Sequence, residues 1–312
     1  MGARSSIRTI SILGAGAIGA TYAALLYDAD PTCVTLVAGG ERYERLTRQG
    51  LIVNGVSYQI PVLRPKDTAP PADLVLVALK HQHLGQGVRD LRNRVGERTT
   101  ILSAMNGLES ETILGAAYGM DKLLYAVSVG VDAVRTGNRV TYSKPGRLLF
   151  GEADNTRLSE RVRRVCSFFE RIGLSYQIPP DMVRVLWWKW MINVGVNQAS
   201  AALGAPYGVF QESEDARALM DSAMREAIAL AQAAGVDLVE GDIADWHAIL
   251  ATLAPEGKTS MLQDVDAGRK TEVEVFGGKA VELGRTYGIP TPVNQTLTRI
   301  IRVLERSAET YG

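Results

Sequence analysis

The stretch TISILGAGAIGATYAALLY (residues 9–27) decides the fold, because it reads as a strand, a glycine turn and a helix in succession. In this pattern Gly14 allows the tight turn, Gly16 lets a pyrophosphate approach the backbone, and Gly19 lets the helix pack on the strand. A bare G-x-G-x-x-G also occurs in turns that bind nothing, but the strand–turn–helix context predicts a dinucleotide site. The predicted cofactor-binding residues of the turn are Gly14, Ala15, Gly16, Ala17, Ile18 and Gly19.

Short apolar runs continue this alternation along the first half of the chain. They are TISIL (9–13), CVTLVA (33–38), DLVLVAL (73–79), TTILSA (99–104) and LLYAVSV (123–129). Nearly continuous apolar strands that alternate with helical sequence are typical of a doubly wound parallel sheet covered on both faces. Asn54-Gly55 between two apolar runs predicts a β-hairpin, and TGN at 136–138 predicts a second strand pair.

After Pro179-Pro180 the pattern becomes helical. Apolar residues recur at three- and four-residue spacing in five segments, at 181–203, 212–234, 241–252, 272–287 and 293–307. The sequence therefore predicts an α/β domain over residues 1–179 and an all-helical domain over residues 180–312.

Composition excludes several classes of protein. Lys plus Arg and Asp plus Glu both number 34, so the net charge gives no indication of a nucleic-acid or membrane partner. Two cysteines exclude a disulfide framework and favour a reducing compartment, so we expect a cytoplasmic protein. No apolar run is long enough to span a bilayer. The start MGARSS fits the loose myristoylation pattern at Gly2, which we discount because a central strand follows at once.

The segment KWMINVGVN (189–197) places Lys189, Asn193 and Asn197 at four-residue intervals in an otherwise apolar helix. These positions share one helix face, and a lone buried ammonium is costly unless something satisfies it. One interpretation is a ligand-binding face. The other is a polar seam between packed helices, with Lys189 extending to solvent.

Two polar residues follow predicted strands, where open α/β sheets bind ligands. Lys80 ends DLVLVALK, and Asn106 follows TTILSAM. Each by itself is equally well explained as a solvated strand end or a turn. The end of the second strand has Gly39 where an NAD-preferring site usually carries an acid, which favours NADPH; Arg42 and Arg45 are the nearest basic residues.

These residues resemble the ketopantoate reductase (2-dehydropantoate 2-reductase) family over nearly the whole chain. The resemblance rests on GAGAIG, the Lys80 strand exit, MNG at 105–107, KWMINVGVN and TSMLQDVDAGRKTEVE at 259–274. It implies a Rossmann-type domain, a C-terminal helical domain, and NADPH-dependent reduction of 2-dehydropantoate to pantoate in pantothenate biosynthesis. NADH is not excluded.

The resemblance also implies residue roles. Lys189 would be the general acid, and Glu272 would act with it by holding the distal hydroxyl. Asn193 and Asn197 would bind the substrate and Ser260 its carboxylate, while Lys80 and Asn106 would lie near the nicotinamide and its ribose, with Asn106 also within reach of the substrate. From local sequence alone, Ser260 is equally explained as the cap of a helix starting at Met261, and Glu272 as a carboxylate at a helix N-terminus.

The chain departs from the family at several positions. The family often has an Arg where Gly39 stands, His81-Gln82-His83 replace an aromatic residue and a Gln, and Tyr207 stands where some members have an Asn substrate ligand. Two alternatives therefore stay open: reduction of a different branched 2-keto acid, and a non-catalytic dinucleotide sensor. His81, His83 and His247 show no metal-ligand spacing, so we predict no metal. A homodimer is an expectation only.

Overall fold

The computed structural model describes residues 6–311, so Gly2, the residue that the myristoylation pattern would modify, lies outside the described residues. The chain divides into two compact units, the first ending at Val183 and the second beginning at Arg184. The division falls inside a helix, four residues beyond the boundary predicted from the sequence. Within the described residues no helix has the length and apolar character to span a membrane.

The first unit is built on a sheet whose central strands run in the order of a Rossmann fold. The strands are β1 (Ile10–Leu13), β2 (Val34–Val37), β3 (Leu51–Val53), β4 (Val56–Tyr58), β5 (Val62–Leu63), β6 (Leu74–Val77), β7 (Thr100–Ser103), β8 (Leu123–Val131), β9 (Val134–Thr136), β10 (Arg139–Thr141), β11 (Pro145–Gly151) and β12 (Tyr176–Gln177). The larger sheet has the order β12-β11-β8-β7-β6-β1-β2-β5. Six parallel strands reproduce the dinucleotide-binding arrangement, with its switch point between β1 and β6. The predicted parallel sheet is confirmed, with the addition of β11, which runs antiparallel to β8.

Helices surround this sheet and make up the second unit. The helices are α1 (Ala17–Ala29), α2 (Gly40–Gln49), α3 (Leu84–Asp90), α4 (Ser110–Tyr118), α5 (Glu160–Arg171), α6 (Met182–Ile192), α7 (Gln198–Leu203), α8 (Tyr207–Glu212), α9 (Glu214–Ala233), α10 (Gly241–Leu250), α11 (Ser260–Asp266), α12 (Lys279–Tyr287) and α13 (Pro292–Tyr311). Short 3₁₀ turns occupy His81–His83 and Met120–Lys122, and π-helical turns occupy Asn193–Asn197 and Glu274–Gly278. The predicted all-helical character of the second half is confirmed.

Alternate residues of the central strands enter two different cores. Leu74 and Leu76 of β6 join a cluster on one face of the sheet, while Val75 and Val77 join a cluster on the other. All four are at most 3% exposed. This two-sided burial explains why the strands read as unbroken apolar runs rather than alternating ones.

Both predicted hairpins are present and combine into a second, smaller sheet. Asn54 and Gly55 adopt φ values of 48° and 82°, as a two-residue hairpin turn with positive φ at both positions requires. β3 pairs with β4, β10 pairs with β9, and a parallel pairing between β3 and β10 joins the two hairpins. That joining pair spans more than 80 residues of sequence and was not predicted.

Candidate active site

The glycine turn has the geometry that the sequence predicts. Gly14 has a φ of 103°, and a Cβ placed on it would lie 2.4 Å from the carbonyl oxygen of Ala78. A Cβ on Gly19 would lie 1.8 Å from the carbonyl oxygen of Gly14, so α1 approaches the turn as closely as glycine permits. Over Gly16 the nearest atom would be 4.0 Å away, and no side chain caps the start of α1 there. These open backbone N–H groups fit a pyrophosphate at the start of α1.

Arg135 supports this turn from the smaller sheet. Its Nη1 donates to the carbonyl of Ala15 at 2.8 Å, and its Nε donates to the carbonyl of Gly137 at 2.9 Å. Arg135 could not be recognised from the sequence, because it lies 120 residues from the turn. A guanidinium held against the turn adds positive charge beside the predicted pyrophosphate position.

Lys80 and Asn106 lie at the same edge of the sheet as the glycine turn. The backbone N–H of Ala78 donates to Leu13 at 2.8 Å, and that of Ala104 donates to Val77 at 2.8 Å, so β1, β6 and β7 end together. Lys80 precedes the 3₁₀ turn His81–His83, and Asn106 follows two residues after Ala104. Both side chains are half-buried. The structure therefore brings these two residues to the strand ends that flank or neighbour the glycine turn.

In the second unit, Lys189 lies near the end of α6 in a mostly apolar setting. The residue is half-buried, and burial lowers the pKa of its ammonium to about 8. Among the described residues its ammonium has no hydrogen-bond or ion-pair partner. Its neighbour Trp190 is 1% exposed and packs edge-on against Trp187, with ring centroids 5.3 Å apart. The lowered pKa follows from this burial, which disfavours the charged form of the amine.

The sequence predicts that Asn193 and Asn197 lie on a regular α-helix, and this prediction is wrong. Asn193 and Asn197 are the first and last residues of a π-helical turn that links α6 to α7. They are 4% and 5% exposed. Such turns insert an extra residue per turn and are frequent at functional sites. At Gly195 this turn packs closely on α9, since a Cβ on the residue would lie 2.4 Å from Met224 Cγ.

Ser260 does not cap the helix that follows it, which corrects one of the two sequence interpretations. α11 begins at Ser260 itself, and its cap is Thr259, whose Oγ1 accepts from the backbone N–H of Leu262 at 3.2 Å. The Ser260 hydroxyl is instead near Asn197, whose Nδ2 donates to it at 3.4 Å. The structure thus joins two of the predicted substrate-binding residues, which are 63 positions apart.

Glu272 precedes the second π-helical turn rather than starting an α-helix. Its carbonyl accepts from the backbone N–H groups of Val275 and Phe276, at 3.0 and 3.3 Å. Trp190 Nε1 donates to the carbonyl of Val275 at 2.9 Å, which ties α6 to this turn. The interpretation of Glu272 as a carboxylate at a helix N-terminus agrees with this position, except that the helix begins with a π-helical turn and continues as α12. Its role toward a substrate stays a prediction.

His247 and His81 each contact a carboxylate. His247 Nε2 lies 2.8 Å from Asp221 Oδ1, and His81 Nε2 lies 3.7 Å from Glu109 Oε2. Between residues 6 and 311 no group of three or more His, Cys, Asp or Glu side chains is placed to hold a metal ion. The lack of a metal stays a prediction of the sequence.

Comparison with known proteins places this arrangement in a family. The model described as "Ketopantoate reductase PanE/ApbA" matches residues 10–155, and its "C terminal" counterpart matches residues 181–305. The 2-dehydropantoate 2-reductase of Halobacterium salinarum is 28% identical over 305 residues, which cover 95% of this chain and 99% of that protein.

Two solved structures show the same architecture. The 2-dehydropantoate 2-reductase of Geobacter metallireducens GS-15 is 27% identical, with a TM-score of 0.82 over 95% of this chain and 99% of that one. D-mandelate dehydrogenase, solved with NADH and anilino(oxo)acetate, has a TM-score of 0.88 at 20% identity over 97% of this chain and 100% of that one. Since the two matched regions span well over half of its length, the chain belongs to the ketopantoate reductase family.

Proposed function

We propose that this protein reduces 2-dehydropantoate to pantoate in pantothenate biosynthesis, with NADPH as the hydride donor and Lys189 as the general acid. The observation that carries the proposal is the Lys189 ammonium, which is desolvated, lacks a partner among the described residues, and belongs to the helix that continues into Asn193 and Asn197. The names of the relatives, 2-dehydropantoate 2-reductases, support the choice of substrate.

The glycine turn fits a nicotinamide dinucleotide. Gly14 and Gly19 are positions where no side chain has room, and the backbone over Gly16 is open. When bound, the reduced nicotinamide supplies the hydride. Ala15, Ala17 and Ile18 would complete the pyrophosphate site, and Lys80 and Asn106, at the same sheet edge, would contact the nicotinamide half.

The proton chemistry is assigned to Lys189. Hydride addition to a ketone carbon leaves negative charge on the ketone oxygen, which a nearby ammonium stabilises. Lys189 then transfers one proton to that oxygen and becomes a neutral amine, and the product is the alcohol. A pKa near 8 suits this role, because the group is protonated at neutral pH yet releases its proton readily.

Neutral hydrogen-bonding groups hold the keto acid in this proposal. The amides of Asn193 and Asn197 position the substrate without adding charge near the ammonium. The Ser260 hydroxyl, already in contact with Asn197, donates to the substrate carboxylate. Glu272 accepts from the distal hydroxyl, which distinguishes a hydroxylated keto acid from a simple one. The predicted homodimer and cytoplasmic location stay predictions.

Tyr207 favours a second candidate, reduction of a 2-keto acid with a bulkier or aromatic side chain. Its backbone N–H donates to Gly257 at 2.9 Å, and a Cβ on Gly257 would lie 3.0 Å from Tyr207 Cδ2. The ring is therefore packed against the loop that leads to Thr259 and Ser260. Some family members have an Asn substrate ligand at the position of Tyr207. D-mandelate dehydrogenase, which shares the fold, is named for an aromatic hydroxy acid.

A keto-acid panel tests the proposal. NADPH oxidation would be followed with 2-dehydropantoate, 2-ketoisovalerate and phenylglyoxylate, and the hydroxy acid product identified by mass spectrometry. We expect the highest kcat/KM for 2-dehydropantoate. A higher value for phenylglyoxylate would establish the second candidate, and no turnover with any keto acid, despite cofactor binding, would favour a dinucleotide sensor.

A further inference from the structure

The end of β2 lacks the charge that usually reads the adenosine ribose of a dinucleotide. In Rossmann sites the residue at this position contacts the 2′-hydroxyl through an acid or accommodates a 2′-phosphate through a nearby Arg. Here Ala38, Gly39 and Gly40 follow the strand and carry no side chain that can do either. Any recognition of a 2′-phosphate must come from a neighbouring element.

The neighbouring strand brings Arg64 to this point. β5 runs parallel to β2, with Leu36 opposite Val62 and Val37 opposite Leu63. The Ala38 N–H donates to the Leu63 carbonyl at 3.1 Å, so the pairing continues to the strand ends. Continuing the register places Arg64 beside Ala38 and Pro65 beside Gly39.

A contact confirms how closely the next residues approach. A Cβ built on Gly39 would lie 3.6 Å from the ring of Pro65. No Arg follows the end of β2, but Arg64 follows the end of the neighbouring strand β5, at the same edge of the sheet.

The Arg64 guanidinium is held in a defined position. It lies over the ring of Tyr43 of α2, 4.0 Å from the centroid, and Arg64 directly follows β5. The loop after Arg64 is fixed by Arg94, which is 1% exposed and donates to the carbonyl of Ala69 at 2.7 Å. An Arg whose plane is fixed by stacking is well suited to bind phosphate through two N–H groups.

The surrounding charges leave Arg64 able to bind an anion. Its ion pair with Glu44 is 3.5 Å long, and the two side chains are 44% and 68% exposed, so water screens the pair. Arg42 is exposed on α2; burial, followed by the positive charges of Arg42 and Lys80, lowers the pKa of His83. Arg42 and Arg45, which lie on α2, are the competing residues for this role.

We propose that Arg64 is the residue that binds the 2′-phosphate and makes the protein select NADPH over NADH. This inference rests on the proposed function only in its choice of NADPH, and it holds for any keto acid. It predicts a bidentate contact from a guanidinium supplied by β5, stacked on Tyr43, in place of one at the end of β2.

Equilibrium binding without any keto acid tests the assignment. Dissociation constants for NADPH, NADH, 2′,5′-ADP and 5′-AMP would be measured by isothermal titration calorimetry on the intact protein and on Arg64→Ala. Loss of a charged phosphate contact costs about 1.5–3 kcal/mol, so we expect the NADPH and 2′,5′-ADP constants to rise roughly 10- to 100-fold. The NADH and 5′-AMP constants should change by less than about twofold. The NADPH and 2′,5′-ADP constants of Arg64→Lys should be intermediate, because an ammonium keeps the charge but lacks the two parallel N–H donors of a guanidinium.

Controls separate this assignment from its competitors. Arg48→Ala, which removes an exposed Arg from the last turn of α2, should leave all four dissociation constants unchanged. The assignment is overturned if Arg42→Ala or Arg45→Ala, rather than Arg64→Ala, selectively weakens NADPH binding. It is also overturned if Arg64→Ala weakens NADH binding as much as NADPH binding, or if the intact protein binds both cofactors equally. A failure of the keto-acid panel leaves this result untouched, since no substrate is present.

Discussion

The side-chain amide of Gln198 donates to the backbone carbonyl of Val194 at 2.7 Å, inside the π-helical turn that carries Asn193 and Asn197. The same Nε2 donates to Asn294 Oδ1 at 2.8 Å, and Asn294 is bonded in turn to Glu226 at 2.7 Å. Gln198 is fully buried, and a buried carbonyl in a distorted turn needs such a donor. The network therefore fixes the shape of the turn from behind.

Replacing Gln198 with Leu should lower both stability and turnover. The change removes both hydrogen bonds of Nε2 and leaves buried acceptors unpaired, which costs about 1–3 kcal/mol in the free energy of unfolding. Because the amides at either end of the turn would lose their fixed positions, we expect kcat to fall roughly 10- to 100-fold. Urea denaturation and steady-state kinetics with 2-dehydropantoate measure the two effects.

Gln211→Leu is the matched control for this variant. Gln211 also donates twice to backbone carbonyls, at 2.8 Å to Leu250 and 2.9 Å to Leu253, in partly buried hydrogen bonds of the same unit but outside the π-helical turn. It should lose a similar stability while keeping kcat within about threefold. Equal losses of kcat in the two variants would mean that Gln198 acts through stability alone.

Lys189 should set the alkaline limb of the pH profile. Burial lowers its pKa to about 8, and a general acid must be protonated to act. We therefore expect kcat/KM to be level below pH 8 and to fall tenfold per unit above it. In Lys189→Met the alkaline limb of the pH profile should disappear and kcat should fall by about 10²- to 10⁴-fold, while NADPH still binds. Full activity of Lys189→Met would identify a different acid, and absence of activity in the unmodified protein as well would favour a sensor.

The elements that sequence could predict are those whose signal is local. The glycine turn, the Asn54-Gly55 hairpin and the apolar strands each depend on residues within one short window, because backbone freedom and burial act over that range. Lys189 and the two amides were likewise recognisable from their spacing. Their π-helical geometry was not, since the same four-residue spacing occurs in a regular α-helix and in this π-helical turn.

Contacts between distant segments could not be predicted in the same way. Arg135 reaches Ala15 only because β9 and β10 join β3, and Arg64 reaches the β2 exit only through the register of β5. The cap of α11 was misplaced by one residue because Thr259 and Ser260 are chemically equivalent caps. In each case the deciding information is which segments pair, not which residues are present.

Tyr207 should decide between a small and a bulky keto acid. Its ring is fixed against Gly257, and burial raises the pKa of its hydroxyl, so the group is a neutral donor at physiological pH. Tyr207→Asn restores the amide found in some family members and removes the ring. We expect the ratio of kcat/KM for 2-dehydropantoate to that for phenylglyoxylate to rise about tenfold. The control is Tyr287→Asn, since Tyr287 is 40% exposed on α12; an unchanged ratio in Tyr207→Asn would exclude a role in specificity.

Glu111 is a buried carboxyl that the proposed reaction does not use. It lies in the first turn of α4 and is 2% exposed, and its Oε1 has no hydrogen-bond partner among the described residues. Ser110 Oγ donates to Oε2 at 2.9 Å and is itself 2.7 Å from Ser103 Oγ. Burial raises the pKa of Glu111 to about 7, although the hydrogen bond from Ser110 acts in the opposite direction. The folded state therefore favours the protonated form.

As pH rises from acid to neutral, the free energy of unfolding of the unmodified protein should consequently decrease relative to that of Glu111→Gln. The pKa of Glu111 in the folded protein is raised above the ordinary value of 4.5. The stability that the protonated Glu111 contributes is therefore fully present below pH 4.5 and is lost as pH rises to 7. A shift of this size corresponds to about 3 kcal/mol in the free energy of unfolding. Urea denaturation of both proteins from pH 4.5 to 8 measures the difference, with the exposed Glu97→Gln as control. Parallel stability curves for the unmodified protein and Glu111→Gln would show that the carboxyl is ionised in the fold at no cost.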